Sequence, residues 1–258
     1  MAEVGHESSR ESRTETLLEV TVRRPRDVAG AREGGADRLH LVAETAAQPD
    51  RVGTSPEPAV VSAVCREADL PVFVMLRLGD SWTTTGGELA RLVGLAESYL
   101  GGGAAGVSFG FLDANLEVDE EVCGHLAERL RGVPWTFHGA VDDALDPRRA
   151  WRALLRLPGL VGVCSGGSPQ GLAVGYDDLL AAATDDPRVA ALLLPGPGLV
   201  AEQVPWLVRA GVRQFHLGPQ ARPGGSHRAD VDASLVRSWR LLVDSTVARL
   251  GGRPAVER

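Results

Sequence analysis

The feature that most constrains the fold is a series of eight short apolar runs, rich in valine and leucine, that alternate with longer amphipathic segments. Because the runs are continuously apolar, they predict parallel strands covered by helices. Eight strand-helix units predict one α/β domain, a closed (β/α)8 TIM barrel, with a doubly wound open sheet as the alternative. The predicted strands are Leu17–Val22, Arg38–Val42, Val72–Arg77, Gly106–Phe111, Trp135–His138, Leu160–Ser165, Val189–Leu194 and Arg213–Leu217.

The helices are predicted between these strands, and no linker or break in composition divides the chain. We therefore predict a single barrel domain over residues 16–250, with tails at 1–15 and 251–258. The predicted helices are Arg26–Glu33, Pro56–Ala68, Gly87–Leu100, Asp119–Arg131, Pro147–Leu157, Tyr176–Thr184, Val200–Ala210 and Ala233–Leu250.

Charge and cysteine content exclude several classes of function. The 258 residues carry a net charge of −7, and arginines cluster at most in pairs, which argues against a nucleic-acid partner. No apolar stretch is long enough to cross a membrane, and residues 1–16 lack the apolar core of a signal peptide. Cys65, Cys123 and Cys164 are odd in number and far apart, so neither disulfides nor a thiolate zinc site is expected. A reducing cytoplasm is the predicted location.

The chain contains no lysine, and arginine supplies all 27 of its basic side chains. Without lysine no side chain can form a Schiff base. Lysine-dependent aldolases and enzymes that use pyridoxal phosphate are therefore excluded.

Candidate catalytic residues follow from the rule that barrels place their chemistry at the carboxyl ends of the strands. Arg77 ends the third predicted strand, His138 ends the fifth, and Asp142 follows shortly after. His138 is a candidate general base oriented by the Asp142 carboxylate, and Arg77 a candidate anion clamp. Each also has a structural alternative, such as a salt bridge at the rim.

Further polar side chains are predicted inside the barrel. Glu19 and His40 lie early in the first two strands, where they could pair with each other as a buried structural couple. His216 lies in the eighth strand and could either contact a ligand or serve structure.

Glycine-rich loops are a second signal, because they follow the sixth, seventh and eighth strands. Glycines there let backbone N–H groups approach an anion, but they also simply permit tight turns. Pro195 and Pro197 supply no N–H and weaken the anion interpretation. The candidate anion-binding residues are Ser165, Gly166, Gly167, Gly196, Gly198, His216 and Gly218.

At these residues the chain resembles the CutC family of copper homeostasis proteins. The resemblance depends on the order and spacing of several segments together. It implies an α/β barrel, a cytoplasmic location, a homodimer or larger homo-oligomer, and a link to copper. The segments are Leu18–Val20, Gly34–Leu39, Pro71–Arg77, Phe109–Leu112, Thr136–His138 with Ala140 and Asp142, Ser165–Gly167, Gly196, Gly198, Gly211-Val212 and Phe215-His216.

The chain also departs from the family pattern, in which Glu-Leu-Cys follows the Gly-Ala-Asp-Arg segment. Here that position reads His40-Leu41-Val42, which removes a carboxylate and a thiol. The family arginine after the fifth-strand histidine is Gly139, and the seventh loop has gained Pro197. The departures indicate a divergent branch with a different ligand or a decayed site.

Three functions remain open from the sequence. The first is copper handling, implied by the resemblance alone. The second is a metal-independent isomerase, lyase or hydrolase that acts on a small anionic or phosphorylated metabolite. The third is a non-catalytic binding barrel. We expect weak Cu(I) binding, since cysteines and methionines are scattered, and we expect the strands of His40, His138 and His216 to hold these rings apart.

Overall fold

The computed structural model describes residues 16–43 and 53–251, and these form a single barrel of eight parallel strands surrounded by helices. The (β/α)8 prediction is confirmed. The strands are β1 Leu17–Val22, β2 Arg38–Leu41, β3 Val72–Met75, β4 Gly106–Phe109, β5 Trp135–His138, β6 Leu160–Ser165, β7 Leu193–Pro195 and β8 Gln214–Leu217. The helices are α1 Asp27–Gly34, α2 Pro58–Glu67, α3 Gly86–Gly101, α4 Glu120–Arg129, α5 Pro147–Leu154, α6 Leu172–Asp185, α7 Pro187–Leu192, α8 Val204–Arg209 and α9 Ala233–Gly251.

Strands β1 to β7 pair in chain order, and β1 also pairs with β8. The hydrogen-bonded sheet therefore has β7 and β8 as its two edges. The seam between β7 and β8 is closed by side chains. A β-carbon placed on Gly196 would lie 3.4 Å from Cδ2 of His216, and Gln214 reaches across to donate to the carbonyl of Ala191. The sheet therefore encloses a barrel interior.

The alternation of side chains along a strand decides what enters that interior. On β1, Leu18 and Val20 are fully buried beneath the surrounding helices. Glu19 and Thr21 point the other way, and both contact His216 of β8 inside the barrel. The strands are thus buried on both faces, which is why they read as continuous apolar runs.

The seventh strand was predicted wrongly. The run Val189–Leu192 belongs to α7, and β7 is the three-residue strand Leu193–Pro195. Asp186 caps α7 by accepting from the backbone N–H of Arg188, and Pro187 occupies the first turn. A short apolar run can form either a helix or a strand, and here the Asp186-Pro187 cap favours the helix.

The segment between β8 and α9 folds back over the carboxyl end of the barrel and is anchored there by a buried ion pair. Both guanidinium nitrogens of Arg222 contact the Asp27 carboxylate, at 3.1 and 2.9 Å. Asp27 also accepts from the backbone N–H groups of Arg23 and Val231. Both charged side chains are almost fully buried, so the pair fixes one wall of the barrel mouth.

The predicted tail at 1–15 lies outside the described residues, as do residues 44–52. The predicted tail at 251–258 also lies outside them except for Gly251, which ends α9. Within the described residues, no helix is long and apolar enough to cross a membrane.

Candidate functional site

Three histidines from distant parts of the chain meet inside the barrel. His40 comes from β2, His138 from the end of β5 and His216 from β8. One nitrogen from each ring can be chosen so that all three lie within 4.8 Å of one another, and all three side chains are buried. It is the one group of three or more potential metal-ligating side chains at this spacing among the described residues.

This convergence corrects the expectation that the three rings stay apart. The ring centroids of His40 and His138 are 4.5 Å apart, and each lies 5.6 Å from the centroid of His216. The barrel is narrow enough that side chains from strands on opposite sides meet at its centre. Three imidazoles bound at about 2.0 Å to one tetrahedral ion would have nitrogens roughly 3.3 Å apart, so the three rings would have to move closer together to hold one ion.

Glu19 holds His216 in a defined orientation. Its Oε1 lies 2.7 Å from Nδ1 of His216, and its Oε2 accepts from Nε of Arg38 at 2.6 Å. The attraction of the Arg38 guanidinium and the His216 hydrogen bond outweigh the large effect of burial, and the pKa of Glu19 lies well below its usual value. Since the ionised carboxylate only accepts, Nδ1 of His216 carries the proton and Nε2 faces Thr21 Oγ1 at 3.0 Å.

The expected pairing of Glu19 with His40 is wrong, because Arg38 and His216 occupy the carboxylate. Arg38 and His40 lie two positions apart on β2, so both face the interior. The Arg38 guanidinium donates a hydrogen bond to the Glu19 carboxylate, and the His40 ring stacks on the His138 ring instead.

His40 and His138 have no internal hydrogen bonds to satisfy them. Neither ring nitrogen of either residue has a partner within the described part of the chain. Burial lowers the pKa of His40 to about 3 and, helped by repulsion from His40 and His216, holds the pKa of His138 well below its usual value. Both rings are therefore neutral, the form that binds a metal ion. Leaving such buried polar groups unpaired costs about 1–3 kcal/mol each, so these nitrogens are available to a ligand that enters the cavity.

The histidines open into a cavity of about 270 Å³ at the barrel mouth. Gly198, after β7, and Gly218, after β8, contribute to its wall. Cys164 also lines it, but Cys65 and Cys123 lie on the outer helices α2 and α4. Burial raises the pKa of the Cys164 thiol well above its usual value.

A second cavity, of about 140 Å³, lies on the other side of His138. Arg77, His138, Asp142 and Gly196 line it, whereas Ser165 is not part of its described lining. The Arg77 guanidinium lies 4.1 Å above the Trp82 ring and donates to the Asp80 carbonyl. His138, Cys164 and Pro197 line both cavities, so the two spaces meet at His138.

Asp142 does not orient His138 as expected. Its carboxylate accepts from Ser165 Oγ at 2.6 Å and from the N–H groups of Gly166 and Gly167 at 2.8 and 3.1 Å. Burial raises the pKa of Asp142 to about 7 against the opposing effect of these hydrogen bonds.

The amides of the glycine loops are also engaged within the protein. The backbone N–H groups of Gly166 and Gly167 donate to the Asp142 carboxylate. The N–H of Gly196 donates to the Ser165 carbonyl, and the N–H of Gly218 donates to the side chain of Gln220. The assignment of these loops to anion binding stays a prediction.

Comparison with known proteins agrees with this barrel. The family model for the CutC family matches residues 16–221. The chain belongs to the CutC family. The human protein described as copper homeostasis protein cutC homolog is 30% identical over 205 residues, or 78% of this chain and 72% of its own length. A CutC family protein from Caulobacter vibrioides is 31% identical over 223 residues, or 84% and 87%. A solved CutC structure from Streptococcus agalactiae superposes with a TM-score of 0.67 at 22% identity, covering 79% of this chain and 98% of its own.

His40 stands where the resemblance described above leads us to expect a glutamate, and its ring is one of the three imidazoles that meet in the barrel. Pro197 lines both cavities.

Sequence reasoning missed three residues around the site. Arg38 neutralises Glu19, Arg23 lines the histidine cavity from the loop after β1, and Arg222 lines it from the loop after β8. The two-residue spacing of Arg38 and His40 was a usable signal, because it places both on the same face of β2. No sequence pattern in the two loops indicated that Arg23 or Arg222 would line the cavity.

Proposed function

We propose that this CutC family protein binds a transition-metal ion through His40, His138 and His216, and that its role in copper homeostasis, the function named for its human relative, depends on this site. The observation that supports the proposal is the meeting of three buried imidazoles, two of which have no internal hydrogen-bond partner. A metal ion accepts electron pairs from nitrogen, so one ion could satisfy one nitrogen of each ring at once.

The donor set favours a particular class of ion. Imidazole nitrogen suits Cu(II) and Zn(II), whereas Cu(I) prefers thiolate and thioether sulfur. Three nitrogen donors and one nearby thiol, that of Cys164, therefore favour the divalent ions. Among these, Cu(II) generally binds nitrogen sites most tightly.

Side chains next to His216 set its orientation in the proposed site. Glu19 accepts from His216 Nδ1, so the other nitrogen of the ring is left to face the cavity. Carboxylate-histidine-metal arrangements of this kind fix the ring and raise its basicity. The Thr21 hydroxyl, now 3.0 Å from His216 Nε2, would turn away when that nitrogen binds an ion.

Competition with a chromophoric chelator tests the proposal. We expect the protein to take up one equivalent of Cu(II) or Zn(II), and His40→Gln to weaken the affinity by more than about 100-fold, beyond the usual effect of changing a supporting residue. His125→Gln changes an exposed histidine on α4 and is the matched control, with no effect expected. Uptake that is absent, or equal in the two variants, would contradict the proposal.

We also propose a reducing, cytoplasmic location, since Cys65, Cys123 and Cys164 are all free thiols. Assembly into a homodimer or larger homo-oligomer, which the family resemblance implies, is likewise proposed, and sedimentation of the purified protein tests it.

A further inference from the structure

Among the described residues, the cavity that contains the three histidines is lined by two arginines and by no carboxylate. Arg23 and Arg222 face it together with the three imidazoles and His227. Glu19 lies behind the His216 ring and is not part of the described lining. Three other cavities each include carboxylates in their described lining. The described lining of the histidine cavity is therefore the better match for an anion.

The proposed metal would have an open coordination position in this cavity. The cluster supplies three imidazoles and no fourth side chain at the same spacing among the described residues. Structural metal sites usually have four protein ligands, whereas sites with three leave one position for water or a substrate. A divalent ion bound by three neutral imidazoles keeps its full double charge, because no ligand neutralises it.

Two arginines line the cavity together with the three imidazoles. Arg222 is fixed by its bidentate contact with Asp27, and Arg23 Nη2 donates to Nδ1 of His227 at 3.0 Å. The Arg23 and Arg222 side chains thus line the wall in defined positions. Guanidinium groups are well suited to bind carboxylate and phosphate oxygens.

We propose, as an inference that rests on the metal site above, that this cavity binds a small oxyanion, a carboxylate or a phosphate, which coordinates the metal through one oxygen and contacts Arg23 through another. The volume of about 270 Å³ lies just below the usual range for ligand sites, so the anion is a small one. This assigns the proposed site an anionic substrate or co-ligand, and makes Arg23 its specificity-determining residue.

The test uses the protein loaded with one equivalent of Co(II), whose d–d absorption reports the ligands at the open position. At constant ionic strength, we expect acetate, inorganic phosphate or both to shift this spectrum in a saturable way, while neutral acetamide, of the same shape as acetate, leaves it unchanged. Whichever of the two anions binds more tightly identifies the class of ligand.

Arg23→Gln is expected to weaken anion binding by about tenfold, the loss typical of one charge-assisted hydrogen bond, without changing Co(II) affinity. The matched control is Arg26→Gln, which changes an exposed arginine three residues along the chain, paired with Asp230 outside the cavity. Should Arg23→Gln not fold, the comparison of acetate with acetamide on the unmodified protein still decides.

The outcomes separate the two proposals. A chain that takes up no Co(II) overturns both. A chain that binds Co(II) but whose spectrum responds to neither anion, responds equally to acetamide, or responds equally in the Arg23→Gln and Arg26→Gln variants overturns the anion site and leaves the metal site standing.

Discussion

His216 Nδ1 lies 2.7 Å from the Oε1 atom of Glu19, so a buried carboxylate on β1 sets the orientation of a candidate metal ligand on β8. The two residues are 197 positions apart in the chain, yet they are register partners on adjacent strands. Arg38 neutralises the other carboxylate oxygen. The barrel thus supplies both the ligand and the group that supports it.

Glu19→Gln tests this relationship. We expect the metal affinity to fall about 10- to 100-fold, because the amide supports the His216 ring less well than a carboxylate. We also expect the free energy of unfolding to fall by about 3–5 kcal/mol, because Arg38 is left as a buried charge without its partner. Chelator competition and urea denaturation measure the two effects.

The matched control for this variant is Glu120→Gln, which breaks an exposed ion pair with Arg156. It should leave metal affinity unchanged and alter stability by less than about 1 kcal/mol. Equal metal affinity in the Glu19→Gln and Glu120→Gln proteins would show that Glu19 does not support the site.

Asp142 is expected to make stability depend on pH in a defined direction. Burial raises its pKa from 3.8 to about 7 in the folded protein, and Asp143 and Arg77 line the same cavity. Between about pH 4 and 7 the folded state holds a proton that the unfolded state has lost, so the free energy of unfolding decreases as the pH rises. Above about pH 7 both states are ionised and the loss is complete.

Asp142→Asn should therefore remove this downward component from the stability profile, measured by urea denaturation from pH 4 to 8. Asp178→Asn, on the exposed face of α6, should keep it. A profile that is the same in the Asp142→Asn and Asp178→Asn proteins would refute the assignment of the pKa shift to Asp142.

Cu(I) binding is expected to be weak and independent of the outer cysteines. Cys65 and Cys123 lie on separate helices outside the barrel, and Cys164 alone reaches the histidine cavity. A tight Cu(I) site needs two or more soft ligands at one ion. In a competition titration with a Cu(I) chelator, the Cys65→Ser/Cys123→Ser double variant should match the unmodified protein. Tight stoichiometric Cu(I) binding that the double variant loses would refute this prediction.

The barrel could be predicted because continuous apolar runs and their spacing are properties of the local sequence. They can be recognised without knowing which distant residues are in contact. The prediction failed at β7, where three residues are too few to produce a pattern and the neighbouring apolar run lies in α7. Short strands are held by their neighbours in the sheet, and the local sequence alone does not reveal them.

The sequence supplied candidate residues for the site, but it did not predict how they are arranged. The strand-end rule selected His138, Arg77 and Asp142, yet it gave no distance across the barrel, so the meeting of His40, His138 and His216 went unforeseen. The glycine loop after β6 shows the same limit. A β-carbon on Gly167 would lie 2.2 Å from the carbonyl oxygen of Gly175, so close backbone packing already requires glycine there.

X-ray absorption spectroscopy of the protein loaded with one equivalent of Zn(II) reveals which atoms bind the ion. We expect three imidazole nitrogens at about 2.0–2.1 Å, with one further oxygen ligand and no sulfur. In His138→Gln, the imidazole scattering should fall to that of two rings. Sulfur in the first shell, one imidazole or none, or an unchanged spectrum in His138→Gln would contradict a metal site built from His40, His138 and His216.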